Sequence, residues 1–557
     1  MNFTKAVNVA ALGLAVLTSV GTVQAKNKKN PNFLFITCED ISPYLNCYGD
    51  STAKTPNLDK LAKESLVYDN AFATVGVCAP SRSSIITGMY PVSIGTHHMR
   101  TGKDVTGWGY RRGYEYKPIM IDQEGNEFGH YAVVTPPEVR CFTVFLRQNG
   151  YFCTNSSKTD YQFKAPISAW DENGRKAHFK NRTKNQPFFS VFNIGITHES
   201  QIWMKAKDSL RVNPQIVPLH SYWPDTDTVR LDMARNYSNI ELLDFQVGEL
   251  LDDLKASGQL ENTFVFFFSD HGGPLPRGKR AIYDSGLRTP FMIRFPKGTN
   301  KGRTDRLISY VDIAPTVLSL ANIEIPAYIQ GKAFLGEQER EEREYIFGSA
   351  DRFDECYDRV RCVRNKNYML VRNFNTEQSR YLEVNYRKQI PMMNNMLRLR
   401  DEGKLNTTQM IWFENTKPDI EFYDVNADPE QVNNIAGLAE HKDKVDEMLN
   451  VLTSWQEGVK DKGEIPEAEM IKSQWPNFVQ PQTEMPQIKK EAGSFYAEVS
   501  TKGADIVYRY SESNKITKKL DHWHIYNGSI EKKKGMFLHV RATRIGYLDS
   551  DILVVKM

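Results

Sequence analysis

Net charge is nearly missing from this chain: 71 Lys and Arg stand against 68 Asp and Glu, a formal +3 over 557 residues. So even a balance argues against a nucleic-acid partner, which calls for a concentrated basic face, and leaves any attraction for anions to local clusters. Past Ala25 no run stays apolar for the ~20 residues that span a bilayer, so no membrane partner is expected. Cysteine is sparse, seven in all, and none is spaced with histidine as zinc ligands are. Internal repeats and low-complexity tracts are also lacking.

The main apolar run lies at the start. Lys5 supplies a positive end, Ala6 to Val20 the apolar stretch, and Val23-Gln24-Ala25 a small-residue cleavage site, so residues 1–25 read as a secretory signal peptide with the mature chain beginning near Lys26. The stretch is short for a membrane anchor, and no cysteine follows the cleavage site to carry a lipid. Export places thiols where disulfides can persist. With Cys78 set aside for chemistry, Cys38, Cys47, Cys141, Cys153, Cys356 and Cys362 are expected to form three pairs of open connectivity.

The length exceeds what one core usually supports. Asn32 to Thr37, Phe188 to Ile194 and Thr263 to Phe268 are nearly continuous apolar runs, the pattern of strands covered on both faces. Each delivers polar residues at its carboxyl end: Cys38-Glu39-Asp40, Thr197-His198-Glu199 and Ser269-Asp270-His271. Between the last two runs, Val229 to Lys255 carries apolar residues at helical spacing (Leu231, Ala234, Tyr237, Ile240, Leu243, Val247, Leu250, Leu254), which makes a parallel crossover. In such sheets the ligand sits beyond the carboxyl ends of the strands. The spacing predicts an α/β catalytic domain over 26–340. A smaller α+β subdomain follows over 341–480, where Glu421 to Asp424 is a strand, and an all-β module of sandwich type over 481–557, where Ser494 to Val499, Asp505 to Tyr510 and Phe537 to Ala542 alternate.

The sharpest motif is Cys78-Ala79-Pro80-Ser81-Arg82, followed by Thr87-Gly88. On these residues the chain resembles the formylglycine-dependent type I sulfatases of the alkaline phosphatase superfamily, from Asn32 to about Asn434. The resemblance implies a mixed, mostly parallel sheet flanked by helices and a smaller carboxyl-terminal subdomain. It also implies that a formylglycine-generating maturation enzyme oxidises Cys78 to Cα-formylglycine. A thiol would form a stable adduct with sulfur, whereas an aldehyde hydrate attacks with one hydroxyl and expels sulfate when the other loses its proton.

The resemblance further implies calcium, held by Glu39 and Asp40 after the first strand and by Asp270 and His271 after the later one; hard oxygen donors suit such an ion. Glu39 and His271 depart from the more usual Asp and Asn. Arg82 would orient the hydrate with its planar donor array, and Lys158 falls where the family places a lysine on the same group. Two residues on, many members have a histidine and this chain has Asp160, which either takes over proton transfer or leaves it to another group. His198 matches the histidine that touches sulfate and protonates the leaving alcohol, and Lys279 the lysine gripping sulfate from the other side. His97, His98 and Arg100 are candidates for holding the sugar. Tyr283 to Pro290 matches a family block leading into the strand Phe291 to Phe295.

The expected activity is that of an exported bacterial enzyme, periplasmic or secreted. It hydrolyses a sulfate ester on a sugar derived from a glycosaminoglycan or mucin-type glycan, acting from the chain end. Alternatives are heparan N-sulfoglucosamine hydrolysis, a phosphonate or phosphodiester hydrolase with the same nucleophile, and an inactive protein that binds sulfated glycan; loss of the cysteine motif or metal acids would mark the last, and both are present.

Overall fold

A computed structural model describes residues 30–101, 120–491, 493–515 and 522–557; the expected signal peptide over 1–25 lies outside them. The catalytic sheet is built from β1 (Asn32–Cys38), β2 (Leu66–Phe72), β3 (Phe152–Ser156), β4 (Glu172–Asn173), β5 (Phe188–Ile194), β6 (Thr263–Ser269), β7 (Phe291–Arg294) and β8 (Gly302–Ser309). Their order is β8-β2-β7-β6-β1-β5-β3-β4, and β7 alone runs against its neighbours. The apolar runs are explained by two cores. Phe33, Phe35, Phe189, Phe264, Phe266 and Phe268 pack on one face, and Leu34, Ile36, Phe188, Val265 and Phe267 on the other, so both parities of each strand must be apolar.

Register places the site. Cys38 pairs with Ile194 on one side and Ser269 on the other, so β1, β5 and β6 end level and release their polar tails along one edge. The helix α1 (Cys78–Thr87) follows β2 and ends at Gly88, whose φ of +69° needs a glycine. The crossover helix α2 (Asp227–Ala256) starts where the Thr226 side chain accepts the Val229 N–H. Most of its expected apolar face is buried, but Leu231 is 48% exposed. Against it packs α3 (Pro391–Asp401).

A second, antiparallel sheet joins β9 (Ile346–Ala350), β10 (Val360–Arg364), β11 (Tyr368–Asn373) and β12 (Ile420–Asp424). Met448 and Leu452 of α4 (Lys442–Val459) pack on its Val363, Leu370 and Phe422. After α5 (Glu467–Gln474), seven short strands between Gln487 and Lys556 form two small antiparallel sheets. They are seated on the catalytic part: Arg147 donates to the Trp523 carbonyl at 2.6 Å, Asn527 to the Gln148 carbonyl at 3.0 Å, and Ile545 enters the phenylalanine-rich core. Pro31 to Met557 is one compact unit, and no helix among the described residues is long and apolar enough to cross a membrane.

All seven cysteines are free, which corrects the expected three disulfides. Cys38, Cys141, Cys153 and Cys362 act as small apolar groups within the cores.

Candidate active site

Cys78, the first residue of α1, is completely buried. Its Sγ lies 3.3 Å from His271 Nε2 and 3.9 Å from Asp40 Oδ1. Burial pushes this thiol up, but the ammonium groups of Lys158 and Lys279 outweigh it and bring the pKa down to about 7.

Two carboxylates from the ends of β1 and β6 organise the floor. Asp40 Oδ1 is 3.0 Å from His271 Nε2, and Oδ2 accepts Lys279 Nζ and the Glu199 N–H, each at 2.7 Å. Asp270 Oδ2 accepts Arg82 Nε at 3.0 Å and Oδ1 the Asp40 N–H at 3.2 Å. Burial raises both acids, yet Lys279, His198 and His271 hold Asp40 well below its ordinary range. His271, Arg82 and Lys158 bring Asp270 to about 2. In return, Asp270 and Asp40 outweigh burial at His271 and lift its imidazole to about 10.

Glu39 accepts Lys158 Nζ at 2.6 Å through Oε2, while Oε1 is sealed without a hydrogen bond, 3.8 Å from Arg82. Arg82 also donates to Asn193 Oδ1 at 2.7 Å. Asp160 is buried, 3.7 Å from Lys158 Nζ, with Oδ1 lacking a hydrogen bond. The turns that deliver these groups are strained: Asp40, Ser157, Asp160, Arg277 and Arg280 all have left-handed φ, a conformation retained where the surroundings over-determine it.

His198 and His271 are set in different tautomers. The Ser200 N–H donates to His198 Nδ1 at 3.2 Å, so a neutral His198 carries its proton on Nε2, 3.8 Å from Glu39. His271 Nδ1 faces the Gly272 carbonyl at 3.0 Å and must donate to it, so a neutral His271 points its Nε2 lone pair at Asp40 and Asp270. Donor atoms of Asp40, Cys78, Asp270 and His271 lie within 4.8 Å of one another, as do those of Glu39, Asp40, Cys78 and His198. The orphaned Glu39 oxygen, the paired carboxylates and the His271 lone pair are a donor set that fits a divalent cation.

The structure thus brings Glu39, Asp40, Cys78, Arg82, Lys158, Asp160, His198, Asp270, His271 and Lys279 together. His97 and His98 are not at the mouth, which corrects their expected role on the sugar. Both are fully covered, their rings 4.1 Å apart, beside Arg352, which binds Glu467 of α5 at 2.6 and 2.7 Å. Burial lowers His97 to about 4 and His98 well below its ordinary value, so both are neutral. Arg100 does reach the mouth: its side chain is 17% exposed and lies 3.7 Å from both Asp160 and Asp354.

Four residues were missed. Asn193 orients Arg82. Glu199 accepts both terminal nitrogens of Arg280, at 2.9 and 3.0 Å, and lies 3.2 Å from Lys279. Asp354 bonds Arg280 at 3.1 Å. Glu199 and Arg280 directly follow His198 and Lys279, a signal that was available; Asp354 had none.

Residues 31–323 match the family described as Sulfatase, and the chain is 41% identical over 96% of its length to an ulvan-active sulfatase of Formosa agariphila, covering 92% of that protein. The chain belongs to the sulfatase family. Residues 277–407 of this sulfatase also match the family described as N-sulphoglucosamine sulphohydrolase, C-terminal. It is 25% identical to the human N-sulphoglucosamine sulphohydrolase, over 79% of this chain and 92% of that one. A solved structure holding its substrate D-glucosamine-2-N,6-O-disulfate shares the fold, with a TM-score of 0.51 at 19% identity over 79% of this sulfatase and 99% of that chain. This sulfatase is therefore a sulfuric ester hydrolase built on the alkaline-phosphatase-like sheet.

Proposed function

We propose that the chain is an exported, exo-acting carbohydrate sulfatase using formylglycine made from Cys78, with calcium held by Glu39, Asp40, Asp270 and His271. The observation that carries this reading is a buried Cys78 at the start of α1, next to the Asp40 and Asp270 carboxylates and within the field of Lys158 and Lys279. Oxidised to formylglycine and hydrated, residue 78 would supply an oxygen nucleophile for sulfur and later release sulfate by returning to the aldehyde. Calcium would neutralise sulfate oxygens as a Lewis acid.

The chain's own groups do the rest. Arg82 and Lys158, fixed by Asp270 and Glu39, hold the nucleophilic oxygen. Lys279 offers positive charge to the sulfate group. His198, with Nδ1 engaged by the Ser200 N–H, presents Nε2–H to the departing alcohol oxygen and gives up that proton as the sulfur–oxygen bond breaks. Asp160, whose Oδ2 lies 3.7 Å from Lys158 Nζ and whose Oδ1 has no hydrogen bond, accepts the proton released in the second step. Because Cys78 is completely buried, the maturation enzyme must act on it before the fold closes.

Identity of 41% to a protein named for ulvan supports a sulfated polysaccharide of that kind over the glycosaminoglycan or mucin sugars expected from sequence. A glucosamine sulfate is the second reading, supported by the match over 277–407. The test is sulfate release from ulvan oligosaccharides and from sulfated glucosamine disaccharides, with calcium, on protein whose residue 78 is verified by mass spectrometry. Release lost in Cys78→Ala is expected; none from fully converted protein would sink the proposal. For export, the mature protein in a periplasmic or medium fraction should begin near Lys26, and an intact Met1 in the cytoplasm would contradict it.

A further inference from the structure

Buried arginines around the site are matched by acids: Arg82 by Asp270, Arg280 by Glu199 and Asp354, Arg352 by Glu467, Arg361 by Asp351 and Asp461. Arg387 is not. It is 3% exposed, yet no carboxylate bonds it among the described residues, and the single hydrogen bond of its guanidinium, from Nη1 to the Leu382 carbonyl, is 3.3 Å long. Arg277 and Arg235 also lack an acid, but carbonyl oxygens take up their donors. The rings of Trp412 and Tyr381, at 5.2 and 5.9 Å, hold the Arg387 guanidinium in place and leave most of its fork of donors unused. None of its nitrogens is both sealed from solvent and unbonded, so the unused donors keep some contact with solvent. A buried guanidinium so short of acceptors is costly, and a ligand that brings the acceptor would relieve it.

Its place in the fold connects it with the mouth. Tyr386, just before it, packs edge-on against Trp203 at 5.2 Å, and Trp203 belongs to the helix Ser200–Met204 that follows His198. On the other side, the Asn385 N–H donates to Glu355 at 2.7 Å, next to Asp354, which lies between Arg100 and Arg280. Burial and then repulsion by Arg280 bring the Arg387 guanidinium to about 10, in keeping with a cation one step outward from the Lys279–Glu199–Arg280 array.

We propose that Arg387, which follows Tyr386 and its ring partner Trp203, is a second anion subsite that takes a carboxylate or a further sulfate on the sugar adjoining the one whose ester is cleaved. This rests on the carbohydrate sulfatase reading above. The planar fork suits a bidentate oxyanion, and the half-buried aromatic pair suits a sugar ring.

The test compares three substrates on calcium-loaded, converted enzyme: a monosulfated monosaccharide with no other anion, a sulfated disaccharide with a uronate neighbour, and a disulfated disaccharide. Arg387→Gln should raise KM about ten-fold for one of the two doubly anionic substrates, with Arg387→Lys, which keeps charge without the fork, in between. Values for the monosaccharide should stay within about two-fold, as a merely structural residue would not allow. Which disaccharide loses affinity tells carboxylate from sulfate. Equal losses on all three, or no change on any, would overturn the subsite. Should the wild type release sulfate from none of them, the sulfatase reading fails on its own. Calorimetric binding of the same two disaccharides to the Cys78→Ala protein then decides: binding at least about five-fold weaker with Arg387→Gln added supports the subsite, and equal or absent binding overturns it.

Discussion

In the proposed mechanism Asp160 takes over proton transfer, with Oδ2 3.7 Å from Lys158 Nζ and Oδ1 without a hydrogen bond. Asp160→Asn, similar in size but no base, should lower kcat about 100-fold with little change in KM; an unchanged kcat would assign that proton to another group. Asp270 serves both the proposed cation and Arg82. Calcium should raise the melting temperature of the wild type and a chelator should reverse it, whereas Asp270→Asn should show no calcium response and no sulfate release. Residues of the site were legible where they sit in a motif or at the end of an apolar run, because strand ends in a parallel sheet converge. Asn193, hidden inside such a run, and Asp354, brought from the second sheet, carry no local mark.

At the scale of elements, α2 shows how burial overrides periodicity. Leu231 was counted with its apolar face and is exposed, while its neighbour Asp232 is buried and accepts the Met392 N–H of α3 at 2.6 Å. Burial outweighs that bond and the nearby Arg235, lifting this carboxyl to about 7. An acid raised in the folded state holds its proton more tightly there than in the unfolded chain, so stability is greatest at low pH and is lost as pH rises from about 4 to about 7. Asp232→Asn, which keeps the acceptor without the charge, should stabilise the protein at pH 8 by about 2 kcal/mol and leave it unchanged at pH 4. Thermal melts at both pH values check this; a destabilised variant at pH 8 would refute it.

At the scale of the molecule, the terminal β region reads in sequence as an appendage, yet it closes over the catalytic part. Gly546 has φ +81° and a Cβ there would lie 2.3 Å from the Val133 carbonyl oxygen. Gly546→Ala should therefore cost about 2–3 kcal/mol, and removal of residues 481–557 should leave Arg147 and the Ile545 contact surface exposed and the protein insoluble or much less stable. A truncated chain that melts like the full one would show the region to be independent.

The sequence by itself determined the chemistry class and the buried sheet, because a cysteine motif and strands apolar on both faces are local patterns. Only the tertiary structure decided which side chains share the site, that His97 and His98 are buried, that the cysteines stay unpaired, and that Arg387 lacks an acid. Each of these depends on what distant segments bring within a few ångströms, and no spacing along the chain encodes that.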